Sequence, residues 1–271
     1  MAWVRFAQEG QVCWGQVHDG LIQVFAGSPL HEGRVCRPQP GAERLPLEGT
    51  PLLPPCEPTK IVCVGRNYRE HARELGHELT TTPLFFLKPP SALLAPGGTI
   101  LLPELSQQVE HEGELGVVMR RRCQRLRPEE DVRPYLLGFT CVNDVTARDL
   151  QKSDPQWTRA KGFDTFCPVG PWVTEAPGAE RDQPWRGLTI ETRVNGELRQ
   201  SGNTADFLFS LEEVLGAITA VMTLEPGDVV ATGTPAGVGP LRAGDRVSVS
   251  IAGVGTLENR VAARAAPGRG N

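Results

Sequence analysis

No apolar run in the sequence approaches the roughly 20 residues that a membrane-spanning helix needs, so a bilayer is not expected to be a partner. A basic excess is also missing. Against 28 Lys and Arg stand 32 Asp and Glu, for a net charge of -4 and a pI near 5.8. That removes the electrostatic case for nucleic acid, whose binders carry a basic patch. No two cysteines stand in a CxxC pair. The seven present, Cys13, Cys36, Cys56, Cys63, Cys123, Cys141 and Cys167, are odd in number and scattered. This argues against a zinc motif and a disulfide framework and for a reducing compartment, expected to be the cytoplasm. The opening MAWVRFAQEGQ has no apolar segment behind Arg5, so it does not read as a secretory signal. No internal repeat is visible, which excludes a doubled arrangement of one fold within the chain.

What is present reads as mainly β, with few and short helices. Residues 1–57 are expected to form a small β-rich N-terminal domain: VRFAQEGQVCWGQVHDGLIQVF alternates and breaks at Glu9-Gly10 and Asp19-Gly20, both hairpin-turn signals. The proline-rich PLEGTPLLPPCEPTK then reads as a connector. A catalytic domain is expected over 58–265, and 266–271 as a flexible tail. Within the large domain KIVCVG and PLFFLKP read as strands and YREHARELG as a short helix. VEHEGELGVVM reads as one strand, and YLLGFTCVNDVTA as a strand running into a loop. ETRVNGELRQSGNT reads as a hairpin turning at Asn195-Gly196. LEEVLGAITAVMTLEPGD reads as a helix ended by Pro226-Gly227, and DVVATGTP and DRVSVSIAGVGTLENRV as late strands.

Four segments carry chemistry. In Glu112-Gly113-Glu114 two carboxylates two residues apart on a strand share a face, where their repulsion is relieved by a cation or by water. A third acid, Asp144, ends another apolar stretch, and three carboxylates from two strand ends suit a hard cation such as Mg2+ or Mn2+. A solvated edge strand is the commoner origin of such a pair, but the apolar LGVVM that follows speaks against it. In GRNYREHARE, His71 and Glu74 share a helix face, so the carboxylate can fix the imidazole's tautomer and the pair can move a proton. A surface i,i+3 pair would look the same. Lys161, in RAKGFDTF, sits beside aromatic residues where a partly enclosed ammonium can neutralise a carboxylate or ketone oxygen. Thr234, in the glycine-bearing ATGTPAGVG, offers a hydroxyl to a carboxylate. An exposed loop lysine and a plain turn are the ordinary explanations of these last two.

Together the segments VGRNYREHARELG, PLFFLKPPSALLAPGGTI, HEGELGVV, NDVTARDLQ, AKGFDTFCPVGPWV, VNGELRQ and GDVVATGTPAGVGPL resemble, in order, the fumarylacetoacetate hydrolase family from about Lys60 to Leu257. Residues 1–57 are similar to the N-terminal extension of bacterial members. The resemblance implies a mixed β-sheet roll of the family's C-terminal type, assembled as a homodimer. It implies Glu112, Glu114 and Asp144 as ligands of Mg2+ or Mn2+. It implies His71, Glu74 and Lys161 as catalytic, with Arg66, Gln151 and Thr234 binding substrate. One departure is visible: Arg120-Arg121-Arg122 stand where relatives often have a glycine, a change expected to fall on a surface turn.

The activity implied is on a small 2-oxo acid through an enolate at its metal-bound 2-oxo group. The expected outcome is C–C cleavage, either acylpyruvate hydrolysis or oxaloacetate decarboxylation. The alternative is isomerisation, of a 2-hydroxyhepta-2,4-diene-1,7-dioate or as an oxaloacetate tautomerase. A non-catalytic metal-binding relic of the fold is disfavoured because His71 and Lys161 are both retained. The helix bearing His71 and Glu74 is expected to act as a lid, displaced without substrate.

Overall fold

The computed structural model describes residues 1–30, 36–76, 78–178 and 183–264; the expected tail at 266–271 lies outside them. The chain is mostly β, as its composition and turns imply. Its N-terminal part is a meander of strands Ala2–Gln8, Gln11–His18 and Leu21–Ala26. Glu9-Gly10 (φ 50°, 76°) and Asp19-Gly20 (φ 49°, 74°) make its turns. Two consecutive left-handed residues give the turn whose twist matches the flanking strands.

This meander does not close on itself. Ala2 and Trp3 pair with Thr174 and Val173, so the N-terminal strands extend the large sheet at strand Cys167–Thr174. From there the sheet runs through Leu136–Asn143, Gly113–Met119, Val229–Ala231 and Ile61–Gly65 to Leu84–Lys88. It is mixed, because Val229–Ala231 and Ile61–Gly65 run parallel while the other neighbours on this path are antiparallel. Gly113–Met119 and Leu136–Asn143 are buried at every position, which is why their sequences read as unbroken apolar runs rather than alternating ones. A second sheet packs against the first and contains the hairpin Thr189–Val194/Glu197–Asn203, turning at Asn195-Gly196 as its sequence demands. A small third sheet, from Val109–His111, Thr146–Ala147 and Gly239–Pro240, closes over the ends of the central strands.

Three expectations shift. VEHEGELGVVM is two strands, broken at Glu112. The helix expected to run to Pro226 covers only Leu211–Val221. Leu224 leaves it to exchange both backbone hydrogen bonds with Cys123, each 2.9 Å, and a β-bridge cannot form on helical backbone. DVVATGTP is a strand only over Val229–Ala231. Arg120, Arg121 and Arg122 lie exposed where the central strand leaves the sheet, the surface position expected for them. Cys141 and Cys167 are packed as small hydrophobes, and burial pushes their thiols up to about 12.

Candidate active site

The break at Glu112 has a structural cause. Its N–H donates to Asn143 Oδ1 (3.0 Å) and its carbonyl accepts from the Asp144 N–H (2.8 Å). The ends of two central strands are thereby tied together, and Glu112, Glu114 and Asp144 face one point. One ligand oxygen from each lies within 4.8 Å of the others, and all three residues are buried. The convergence expected from spacing is present.

Cations surround these acids. Lys161 Nζ donates to Glu112 Oε2 (2.8 Å) and Asp144 Oδ2 (2.6 Å). Lys88 Nζ donates to Asp144 Oδ1 (2.6 Å) and to the Val145 carbonyl (3.1 Å). Arg148 forks, its Nε donating to Glu110 Oε2 (2.7 Å) and its Nη2 to Glu112 Oε1. Four carboxyl groups, those of Glu110, Glu112, Glu114 and Asp144, thus face three cations, and one of them is left without a cation of its own. Burial alone would push Glu112 up, but Lys161 and Arg148 outweigh it and hold the carboxyl well below the usual range. Burial pushes Glu114 far above that range, and the neighbouring Asp144 and Glu112 carboxylates push the same way. Lys161 goes up: burial opposes its charge, but Asp144 and Glu112 prevail.

The donor set fits a hard divalent cation. It offers oxygens only, from three deprotonatable groups, with an unbalanced buried carboxylate whose ionised form such an ion would stabilise.

His71 and Glu74 belong to the helix Arg69–Glu74. His71 Nδ1 and Glu74 Oε2 are 3.1 Å apart, and the Gly237 N–H donates to both oxygens of Glu74 (3.0 and 3.2 Å). The helix expected to stand displaced is docked, with His71 buried. It encloses a cavity of about 20 Å3, room for roughly one water, with Arg66, Lys161, Phe86 and Trp157 in its walls. Phe86 and Trp157 meet edge to face at 5.2 Å, and Lys161 Nζ lies 4.9 Å from the Phe86 ring centre.

The expected substrate-binding residues all border this cavity, but with different freedom. Arg66 has a left-handed backbone (φ 61°) and a buried Nε without a hydrogen-bond partner among the described residues, as a group awaiting an anion would. Gln151 Oε1 accepts from Arg148 Nη1. Thr234 already gives its hydroxyl proton to the Gly113 carbonyl (2.9 Å) and accepts from Gln200 Nε2 (2.7 Å). Its hydroxyl therefore braces the strand between the two glutamates, and donating to a carboxylate would require breaking that bond.

Lys88 and Arg148 were not singled out from the sequence. Each left a signal: Lys88 is a lone charge closing an apolar strand before two prolines, and Arg148 lies within the quoted NDVTARDLQ.

The family model described as fumarylacetoacetate (FAA) hydrolase C-terminal matches residues 60–262, and a second, Rv2993c-like N-terminal, matches residues 1–55. The Bacillus subtilis protein named oxaloacetate tautomerase YisK is 42% identical over 216 residues, covering 76% of this chain and 70% of its own length. A crystal structure of 2-hydroxyhepta-2,4-diene-1,7-dioate isomerase from Mycobacterium marinum superposes with a TM-score of 0.85 at 38% identity, over 98% of this chain and 100% of that one. Maleylpyruvate hydrolase from Sphingobium sp. SYK-6, in complex with manganese (II) ion and pyruvate, gives a TM-score of 0.78 at 31% identity, over 98% and 100%.

Proposed function

The chain belongs to the fumarylacetoacetate hydrolase family, and from that premise we propose that it tautomerises a small 2-oxo dicarboxylate of the oxaloacetate class, with Mg2+ or Mn2+ held by Glu112, Glu114 and Asp144. The observation that carries this reading is the His71–Glu74 proton-transfer pair, with His71 lining one cavity together with Glu112, Asp144, Lys161 and Arg66. Tautomerisation needs one proton lifted and one returned, and no added water or departing fragment.

A divalent ion at the three carboxylates would supply Lewis-acid stabilisation of the negative charge that develops on the 2-oxo oxygen. The chain's own residues do the rest. Glu74 accepts the Nδ1 proton of His71, which leaves Nε2 of the neutral ring as the base. In the enol-to-keto direction the proton leaves the 2-hydroxyl and an equal proton arrives at C3, so the exchange balances. The Arg66 guanidinium holds the distal carboxylate. Lys161 adds positive charge beside the developing oxyanion. Phe86 and Trp157 exclude water, which strengthens each of these interactions.

This reading moves the preference from C–C cleavage to the alternative named from the sequence. Cleavage remains the second reading, favoured by the similarity to a maleylpyruvate hydrolase. The test follows purified protein on oxaloacetate, acetylpyruvate and a hydroxyheptadienedioate at the enol absorbance, with Mg2+, Mn2+ or EDTA, and identifies products by NMR. Metal-dependent loss of the oxaloacetate enol signal without CO2 or fragments is expected. Pyruvate and acetate from acetylpyruvate as the dominant products would replace tautomerisation with hydrolysis. The family resemblance implies a homodimer, which light scattering tests, and the scattered cysteines fit the reducing cytoplasm.

A further inference from the structure

A second cavity, of about 560 Å3, lies between the hairpin Thr189–Val194/Glu197–Asn203 and the segment from Gly237 to Asp245. No step of the proposed reaction uses it, and its volume falls within the usual range for small-molecule sites. His111 lines it. This side chain is fully buried, and Nδ1 is engaged with Gln200 Oε1 at 3.1 Å. The orientation of Gln200 is fixed: its Nε2 donates to Thr234 Oγ1 and the Pro235 carbonyl, both at 2.7 Å, and its Oε1 accepts the Gly113 N–H at 3.0 Å. Nε2 of His111 has no partner among the described residues, although buried polar atoms are nearly always paired.

The atom itself is buried, and Gly239 is what stands between it and the cavity. A Cβ built on Gly239 would lie 3.6 Å from His111 Nε2 and meet nothing else within 4 Å. Arg199 and Arg242 border the same cavity, and the Arg199 charge acts on the His111 ring. Arg199 reaches Glu197 at the surface (2.9 Å), and no carboxylate pairs with the Arg242 side chain among the described residues. The acid that lines the cavity, Asp245, is already engaged by Asn195 Nδ2 and the Arg242 backbone N–H. Val194 and Leu198 supply an apolar wall.

We propose that this cavity is a second ligand site, for a small hydroxy-carboxylate whose carboxylate meets Arg242 and Arg199 and whose hydroxyl meets His111 Nε2. Guanidiniums match carboxylates in planar pairs, and a hydroxyl, which both donates and accepts, completes the orphaned ring nitrogen. Gly237 also borders the cavity and holds Glu74 through its N–H.

The experiment titrates the full chain with L-malate and with succinate, which lacks the hydroxyl, by calorimetry in EDTA, so that chelation at the three carboxylates plays no part. Saturable one-to-one malate binding is expected, about tenfold tighter than succinate. Arg242→Ala weakens malate by about tenfold or more. Gly239→Ala places a methyl beside Nε2 and removes the preference for malate, with melting temperature and malate-free turnover unchanged. Arg66→Ala leaves malate binding as it was. Absence of saturable binding, equal affinity for the two acids in the wild type, or binding lost in Arg66→Ala and kept in Arg242→Ala would each overturn the proposal. Because these readings are made without metal or substrate, failure of the tautomerase reading leaves them standing.

Discussion

Glu114 is the carboxyl that the surrounding cations leave unpaired, and its titration is the most direct handle on the site. Its folded value is raised well above the ordinary 4.5 by burial and by Asp144 and Glu112. The folded state therefore holds a proton that the unfolded chain has already released, and stability falls as pH rises above about 4.5 toward the folded value. Metal-free protein is expected to melt at lower temperature as pH rises through that window, and the gain from Mg2+ to grow over the same range as the ionised carboxylate is matched by the ion. Glu114→Gln removes the titrating group: its melting temperature in EDTA is expected to exceed wild type at pH 8 and to ignore Mg2+. Differential scanning calorimetry from pH 5 to 8 decides; a Mg2+ gain independent of pH would remove Glu114 from the ligand set. Arg148 poses the opposite case. Arg148→Met leaves Glu110 and Glu112 buried without their fork, at an expected 3–5 kcal/mol in urea unfolding. Arg148→Lys is expected to recover only part, since one ammonium cannot reach both acids as the planar fork does.

The short helix Arg69–Glu74 depends for its place on a glycine of another segment. Gly237 has φ +100°, and a Cβ there would fall 2.1 Å from the Arg199 carbonyl oxygen, so Gly237→Ala must shift the backbone that holds Glu74. Turnover is expected to fall by about 10²-fold, the lower end for a lost acid–base group, with the Mg2+-induced melting shift kept. His71→Ala should fall by about 10²–10⁴ with metal binding intact; survival of turnover there would remove the dyad from proton transfer. Local signals made much of this legible in sequence. Asn195-Gly196 fixed a hairpin because both residues accept left-handed backbone, and the spacing of His71 and Glu74 put them on one helix face because they are three apart. Glu112 and Glu114 were legible as a pair, but not the break at Glu112, which is made by Asn143 on another strand. Lys88 meets Asp144 across 56 positions, and no periodicity in either strand encodes that distance. The early end of the Leu211–Val221 helix has the same origin, since the bridge to Cys123 is a long-range contact that overrides helix propensity.

At the scale of the whole molecule, the question is whether residues 1–55 are an appendage or part of the sheet. The sequence suggested a separate small domain, because proline-rich chain follows it. Strand Ala2–Gln8 nevertheless pairs with Cys167–Thr174, and Trp3 Nε1 donates to Glu175 Oε1 at 2.9 Å. Trp3 and Trp14 pack in one cluster with Val173 and with Val118, Leu137 and Val142, residues of the strands that end at Glu112 and Asp144. Removing the N-terminal strands would uncover those side chains and open a strand edge, which invites pairing between chains. A fragment beginning at residue 56 is therefore expected to aggregate or to melt well below the full chain. Trp3→Ala in the full chain is expected to lose about 3–5 kcal/mol, the range for a buried tryptophan. The loss should reach the site, because the shared cluster backs the strands that aim the carboxylates: Mg2+ affinity should weaken in Trp3→Ala although Trp3 contacts none of the three acids. Calorimetric Mg2+ titration beside thermal melts separates the outcomes. A fragment with the full chain's melting temperature and Mg2+ affinity would establish residues 1–55 as an independent unit attached to a self-sufficient sheet.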